Sequence, residues 1–416
     1  MFGAQRLLAS FPMVSPLSRR SRVATWAVGI VNALSRRAGR GAGTVAGGRV
    51  GLLFDRRLLS HLSQGRSVIL VSGTNGKTTT SAMVRAGWSG DVTGNVTGAN
   101  MPEGHVAALC ASPAHRVVLE TDEAWLASVV ASTSPAVVVL LNLSRDQLDR
   151  ANEVRQMAQG WRKCLGTEDF AGVVVANAAD PLVVYAAEAT RSVRWVDVPG
   201  VWRGDAASCP HCTRAVVFEF TTWWCTCGFA KPTDISAALT DELNVGGRPY
   251  VMDLKLPGTF NAANATFALT ALSEVGVDVF DAVRRIENLD NVQGRYGLRR
   301  FGRRTVRLLL AKNPAGMAAL LESLHSGGEL WVAINAQIAD GKDPSWLYDV
   351  PFEVLGGRRV QCLGERRLDL ATRLSYDDVD CDVVDDIDAL SRGEGDVTLV
   401  ANYTAFREWT RRTTLC

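Results

Sequence analysis

The stretch Val68-Ile-Leu-Val-Ser-Gly-Thr-Asn-Gly-Lys-Thr-Thr-Thr80 constrains the fold more than any other part of this 416-residue chain. Four consecutive apolar residues, Val68 to Val71, read as a strand buried on both faces. A loop bounded by Gly73 and Gly76 follows, and a helical pattern runs from Thr78 towards Trp88. A buried strand that turns this tightly into a helix belongs to a parallel α/β sheet. The backbone N–H groups of such a loop, with the helix N-terminus, cradle phosphate oxygens. Lys77 adds a mobile positive charge and Thr78 a hydroxyl suited to Mg²⁺. The spacing Gly73-x-x-Gly76-Lys77-Thr78 is two residues shorter than the usual phosphate-binding loop. Gly73, Thr74, Asn75, Gly76, Lys77, Thr78 and Thr79 are therefore expected to hold the phosphates of a nucleotide, beside Mg²⁺. The competing reading is an ordinary strand-to-helix turn.

The length suits two or three domains, and 47% hydrophobic with 21% charged residues suits a globular protein. A net charge of +2 gives no general reason to expect nucleic acid. Charge is nevertheless uneven: the first acidic residue is Asp55, and Arg19, Arg20, Arg22, Arg36 and Arg37 precede it. Between them, Val23 to Ser35 is uncharged but too short to span a bilayer, and no signal-peptide cleavage site stands out. Two readings stay open for this segment. One is a helix packed on the body of the protein; the other is a basic, partly apolar helix resting on an anionic membrane surface. Use of ATP implies a cytoplasmic chain, peripheral to the inner face of the membrane on the second reading. Nine cysteines without a secretory signal argue for metal or core roles rather than a disulfide framework.

Residues 1–48 read as a helical, basic lead-in that ends in the Gly-rich stretch Gly39 to Gly48. Residues 49–302 read as a nucleotide-binding α/β domain. Its buried runs Val117 to Leu119, Ala136 to Leu141 and Val173 to Ala176 each end in polar residues, where a strand's carboxyl edge meets a ligand. Residues 200–232 break that pattern. A helix is expected from Asn261 to Leu272, then a linker rich in Gly and Arg from Gly294 to Arg304. A second, smaller α/β unit fills 303–416, with apolar runs Val306 to Ala311, Leu330 to Ile334, Val360 to Leu363 and Val397 to Ala401.

Three constellations can carry chemistry. Glu120, at a strand end, is the natural second Mg²⁺ ligand beside Thr78, while Asp122 and Glu123 suit a helix start. Asn142, Asp146 and Gln147 follow another buried strand and suit either the Mg²⁺–nucleotide site or a capped helix. Cys209-Pro-His-Cys212 and Cys225-Thr-Cys227 are two chelating pairs at hairpin distance, the pattern of a structural Cys₄ Zn²⁺ site. His211 lies between ligands and reads as a bystander. A closed Cys₄ site has no open position, so it braces the fold and does not catalyse. Zinc ribbons also occur in nucleic-acid binders, but no basic patch with interleaved aromatics accompanies this one. In the C-terminal unit, Lys312 to Gly316 and the loop carrying Asp340, Asp343, Trp346 and Asp349 occupy one edge of the sheet. They suit a binding surface or a turn-rich loop.

On these residues the chain resembles the Mur ligase family. The resemblance rests on Gly73 to Thr79, Glu120, Asn142 with Asp146 to Asp149, Asn261 and Asn264, and Gly294-Arg295. The Cys₄ ribbon, Gln147 and the motifs Ala311 to Gly316 and Asp340 to Asp349 are similar to one branch of it. That branch comprises the ligase subunits of lipid II isoglutaminyl synthases. The resemblance implies a Mur-ligase-type ATPase domain with an inserted zinc ribbon, then a smaller α/β domain. It implies Lys77 and Glu120 in catalysis and Asn142, Asp146, Asn261 and Arg295 at the nucleotide. It also implies a reaction: ATP activates the D-glutamate α-carboxylate of lipid II as an acyl phosphate, and ammonia converts it to the amide. Ammonia would come from a class I glutamine amidotransferase partner of the GatD type, with Asp349 orienting the partner's catalytic His. The family pattern is broken at Ala336 and Gly297, where acidic residues are usual. Two alternatives remain: a stand-alone ligase adding an amino acid to a peptide or folate precursor, and a nucleotide-binding zinc-ribbon interaction protein without ligase chemistry.

Overall fold

The structure is a computed structural model, and it describes residues 17–37, 44–145, 154–200, 202–256, 258–289, 296–324, 328–385 and 387–415. The expected α/β architecture is present. The strands of the first domain are β1 (Ser67–Ser72), β2 (Val92–Gly94), β3 (Arg116–Glu120), β4 (Val137–Leu140), β5 (Val173–Asn177), β6 (Val193–Asp197), β7 (Val217–Glu219), β8 (Thr222–Trp224), β9 (Ile235–Leu239), β10 (Leu243–Val245) and β11 (Arg248–Tyr250). Nine of them form one sheet in the order β11-β10-β9-β6-β5-β4-β1-β3-β2. It is parallel from β9 through β2, with β10 and β11 added antiparallel at one edge. β7 and β8 stand apart as a hairpin.

Alternation along the central strands splits the core. Val68, Leu70, Val117, Leu119, Val138 and Leu140 face one cluster, and Ile69, Val71, Val118, Val137 and Val139 face the other. Helices on both sides cover the sheet, which is why these strands are apolar throughout and not every second residue. The phosphate loop follows β1, an interior strand of the parallel part. Its carboxyl end lies between those of β3 and β4, which bring Glu120 and Asn142 to either side.

The lead-in does not end at residue 48. A helix, Thr44–Phe54, runs through that boundary and lies between the helices Arg19–Arg37 and Pro102–Ala111. Its glycines permit close crossings: a Cβ at Gly48 would sit 1.8 Å from the Glu103 carbonyl oxygen, and one at Gly47 2.0 Å from Asn32 Oδ1. A glycine stretch that looks like a linker is thus partly a packing surface.

The second domain contains β12 (Tyr296–Phe301), β13 (Arg303–Leu310), β14 (Glu329–Ala333), β15 (Val360–Leu363), β16 (Cys381–Val383), β17 (Glu394–Ala401) and β18 (Thr414–Leu415). Their order is β16-β15-β14-β17-β13-β12-β18, parallel from β16 to β13. The expected Gly/Arg linker is, from Tyr296 on, the hairpin β12–β13, turned at Gly302 with φ 61°. The C-terminal unit therefore includes β12 and begins before the boundary set at 302. In β13 Val306 and Leu308 are buried on one side of the pleat, while Arg303 and Arg307 are exposed on the other.

The helix Arg19–Arg37 is fastened by a buried polar node. Ser21 Oγ donates to Asp55 Oδ2 at 2.8 Å, His61 Nδ1 lies 2.9 Å from the same oxygen, and the Arg57 N–H donates to Asp55 Oδ1 at 3.0 Å. Burial pushes the Asp55 carboxyl up, but these bonds outweigh it and hold the group below its ordinary value. A depressed carboxylate stabilises the fold above its unfolded-state pKa and ceases to do so as pH falls through its native one. Asp55→Asn should therefore destabilise the chain by about 1–3 kcal/mol at neutral pH, and progressively less as pH falls below ~4 towards the lower native value. Urea melts at neutral pH and in that acid range, with amide exchange across 19–37, measure this. Equal losses at both would remove the carboxylate's charge from the account.

Candidate active site

The loop after β1 is shaped by its glycines. Gly73 has φ 138° and Gly76 φ 86°, a region side chains rarely adopt. A Cβ at Gly76 would also lie 2.5 Å from Asn264 Oδ1. Gly76 caps the helix Lys77–Gly87, whose first-turn N–H groups have no helical acceptors of their own and face the loop. Asn142, after β4, grips the loop: its Oδ1 accepts from the Asn75 N–H at 2.8 Å, its Nδ2 donates to the Asn75 carbonyl at 3.1 Å, and its carbonyl accepts from the Thr74 N–H at 3.0 Å. Thr74 Oγ1 and Ser144 backbone groups exchange two further bonds of 3.0 Å. Asn142 thus sets the loop's shape.

Lys77 is buried, and its ammonium lies over its own loop. Nζ donates to the carbonyls of Gly73 and Thr74 and, at 2.9 Å, to Glu123 Oε2. Both side chains of the Lys77–Glu123 pair are under 10% exposed, so each charge depends on the other. Asp122 caps its short helix by accepting from the Ala124 N–H at 3.1 Å. Glu123, expected as a second capping residue, is the partner of the phosphate-loop lysine.

Glu120 closes β3 beside Val71 and is 5% exposed. Its main chain is clamped. Asn95 accepts from the Glu120 N–H at 2.9 Å and donates to its carbonyl at 2.8 Å; His105 Nε2 donates to the same carbonyl at 2.8 Å. A carbonyl only accepts, so Nε2 carries the proton. Burial pushes His105 down to about 4, which keeps the ring neutral. Thr78 and Glu120 offer a hydroxyl and a carboxylate, hard oxygen donors of the kind Mg²⁺ takes.

A cleft of about 190 Å³ opens between the two domains beside this loop. Asn75, Gly76 and Thr79 line its end at the loop; Leu256, Phe260 and Phe267 give an apolar wall, with Asn261 and Asn264 on the same helix, Thr259–Glu274. Gly316 and Leu320 face them from the C-terminal domain. The domains touch at the loop: Asn75 Nδ2 donates to Asn313 Oδ1 and Asn313 Nδ2 to Asn75 Oδ1, both at 3.2 Å. Asn313 also caps the helix Pro314–Ser323, its Oδ1 accepting from the Gly316 N–H at 2.8 Å. Asp146, Gln147, Asp149 and Arg295 lie outside the described residues.

The four cysteines converge. Cys209 and Cys227 sulfurs are 3.7 Å apart, Cys212 and Cys225 sulfurs 3.4 Å, and all four lie within 4.8 Å of one another. A tetrahedral ion with Zn–S bonds of about 2.3 Å needs sulfurs roughly 3.8 Å apart, so the set fits zinc. His211 turns away, 2.7 Å from Glu188 Oε1 and edge-on to Tyr185 and Phe229. The ribbon is fused to the sheet: Cys209 and Trp223 share the core of β1 and β3, and Trp223 Nε1 donates to the Ala178 carbonyl at 3.1 Å.

A model of the Mur ligase middle domain matches residues 71–199, and one of the MurT ligase C-terminal domain matches 310–406. The chain belongs to the Mur ligase family. It is an ATP-dependent ligase of the MurT type. It is 28% identical over 386 residues to the lipid II isoglutaminyl synthase (glutamine-hydrolyzing) subunit MurT of Staphylococcus aureus strain COL, covering 84% of this chain and 87% of that one. To the same subunit of Streptococcus pneumoniae it is 27% identical over 370 residues, covering 80% and 82%. Both relatives are named as subunits. Solved structures share the fold: a pseudomurein peptide ligase type C from Methanothermus fervidus (TM-score 0.63, 18% identity, 83% of this chain and 78% of that one) and MurF from Acinetobacter baumannii (0.64, 15%, 86% and 79%).

Asp349 lies at the end of a short helix, Pro344–Asp349, its side chain 38% exposed. Arg145, three residues beyond Asn142, reaches it: Nη2 is 3.4 Å from Asp349 Oδ2, while Nε donates to Asp205 at 2.5 Å. Trp202 Nε1 donates to the same Asp205 carboxylate at 2.7 Å. One guanidinium thus joins the nucleotide edge, the base of the ribbon and the C-terminal domain.

Two outcomes follow from this geometry. Glu123→Ala should destabilise the chain by about 3–5 kcal/mol, because it strands a buried ammonium; denaturant unfolding measures it, and a change under 1 kcal/mol would mean that the Gly73 and Thr74 carbonyls suffice. The purified chain should carry close to one zinc by elemental analysis. Cys225→Ser should lose it together with several degrees of melting temperature, and a metal-free chain of unchanged melting temperature would count against the brace.

Proposed function

We propose that this chain is the ligase subunit of a glutamine-dependent amidotransferase acting on the D-glutamate α-carboxylate of lipid II, in peptidoglycan synthesis. The observation that carries the reading is the junction at Asn75–Asn313, where the MurT-type domain meets the phosphate loop. The same domain presents Asp349, partly exposed, at the Arg145 bridge.

A carboxylate is a poor electrophile until one of its oxygens is given a leaving group. In the proposed first step a substrate carboxylate oxygen attacks the γ-phosphorus of ATP and ADP departs, leaving an acyl phosphate. Ammonia then attacks the acyl carbon, the C–O bond to phosphate breaks, and the nitrogen loses a proton to give the amide. The loop and the helix N-terminus at Lys77 orient the phosphates, and the Lys77 ammonium offsets charge that builds on the transferred group. Mg²⁺, held by Thr78 and Glu120, supplies further charge neutralisation when bound. Asn261 and the apolar wall of the cleft suit the nucleoside, with Asp146 and Arg295 as further nucleotide contacts. The four-cysteine ribbon, with structural Zn²⁺, keeps the Asp205 side of the cleft in shape.

Ammonia is proposed to come from a class I glutaminase subunit of the GatD type, whose catalytic His would be oriented by Asp349. In the chain by itself Asp349 is held by Arg145, so docking must share or replace that ion pair. Co-expression with a candidate glutaminase, followed by incubation with lipid II, ATP and glutamine, tests the reading. Mass spectrometry should find carboxylate converted to amide; no amide with either glutamine or free ammonia would sink it. Turnover driven by a free amino acid without glutamine would instead favour a stand-alone ligase. Asp349→Asn should lower glutamine-driven amidation by on the order of 10³–10⁴ and leave ammonia-driven amidation intact. Equal loss of both would take Asp349 out of the glutaminase site.

A further inference from the structure

The helix Arg19–Arg37 has a face that neither the fold nor the reaction uses. Ser21, Ala24, Val28 and Asn32 are buried against the body of the protein. The opposite face carries Val23, Trp26, Ile30 and Leu34, spaced three, four and four residues apart, which at about 100° per residue form one stripe. Trp26 is 70% exposed, Leu34 58% and Val23 51%. Gly29 lies in the same stretch, and a Cβ there would meet nothing within 4 Å. Leu53 and Phe54 add exposed apolar surface beside the N-terminal end of the helix, where the Arg20 guanidinium donates to the Phe54 carbonyl.

Charge is arranged around the stripe. By helical spacing Arg19 and Arg37 fall on its face at the two ends, and Arg20 and Arg22 flank it. All four are exposed. The helix contains no Asp or Glu, and the first acidic residue of the chain, Asp55, is buried. Among the described residues no helix is long and apolar enough to cross a membrane.

We propose that this face docks on an anionic lipid bilayer, with the helix lying in the plane of the interface. Apolar side chains enter the headgroup–acyl boundary while the arginines meet acidic headgroups. Charge decides the occupant. A second copy packed stripe to stripe would bring arginines towards arginines with no acid on either helix to pair them. The location suits the chemistry too. This helix packs on Thr44–Phe54 and Pro102–Ala111, and the latter carries His105, one of the residues that clamp Glu120. Docking would set that end of the active site at the surface where a lipid-linked carboxylate is presented, and in this respect the inference deepens the proposed function.

The test uses the full chain and sedimentable vesicles of phosphatidylcholine, with and without phosphatidylglycerol. Binding is expected only to the anionic vesicles, weakening as salt rises. It should be about tenfold or more weaker for Trp26→Ser/Ile30→Ser and for Arg19→Gln/Arg37→Gln. Unchanged melting temperature and ATP affinity in both variants show that the fold is intact. Equal binding to both vesicle types, binding to neither, or unaltered binding by both folded variants overturns the proposal. So does a dimer that Trp26→Ser/Ile30→Ser abolishes in a chain that ignores vesicles. Vesicle binding is read without turnover, so its failure leaves the amidation reading standing, and failed amidation leaves docking standing.

Discussion

The shape of the loop after β1 depends on Asn142, and it is held in part through the loop's own N–H groups. One side-chain amide uses its acceptor and its donor on the backbone of Asn75, and its own carbonyl takes the Thr74 N–H. These contacts fix Thr74 and Asn75 and leave the helix end at Lys77 directed into the cleft. They are possible because β4 lies beside β1 in parallel register, with Leu140 opposite Ser72. The sheet brings Asn142 to the loop, the loop sets Lys77, and Lys77 is held by Glu123 from the far side of β3.

The buried Lys77–Glu123 pair shows why this arrangement needs a whole domain around it. Desolvating two charges is expensive unless geometry and extra hydrogen bonds repay it. The Gly73 and Thr74 carbonyls supply those bonds to the Lys77 ammonium in a site where little water reaches it. On the other flank, Asn95 and His105 bond both backbone groups of Glu120, so its carboxylate projects from a strand end that cannot slide.

What was legible in the sequence was whatever is encoded locally. The buried strands around the loop announce themselves as unbroken apolar runs, and the phosphate loop, the two cysteine pairs and the acidic strand end stand at short, fixed spacings. Contacts between distant segments were not legible. Glu123 reads as a cap because its partner is 46 residues away, and nothing in Lys312 to Gly316 announces a bond to Asn75 across 238 positions. The Gly39 to Gly48 stretch misleads for a different reason. Glycine marks turns and close backbone approaches alike, and only the crossing at Glu103 reveals that Gly48 serves the second. The hairpin β12–β13 was hidden by its five arginines, which mimic a charged linker although Arg304 is buried.

Alongside the Arg145–Asp349 ion pair, the two bonds between Asn75 and Asn313 join the domains across the cleft. Asn75 and Asn313 are neutral amides, so salt and ordinary pH changes leave their contact alone. Each such bond is worth on the order of 1 kcal/mol net, and two of them bias a two-state equilibrium by roughly one or two powers of ten. A grip of that size is reversible, so this contact would not by itself lock the domains around a small ligand.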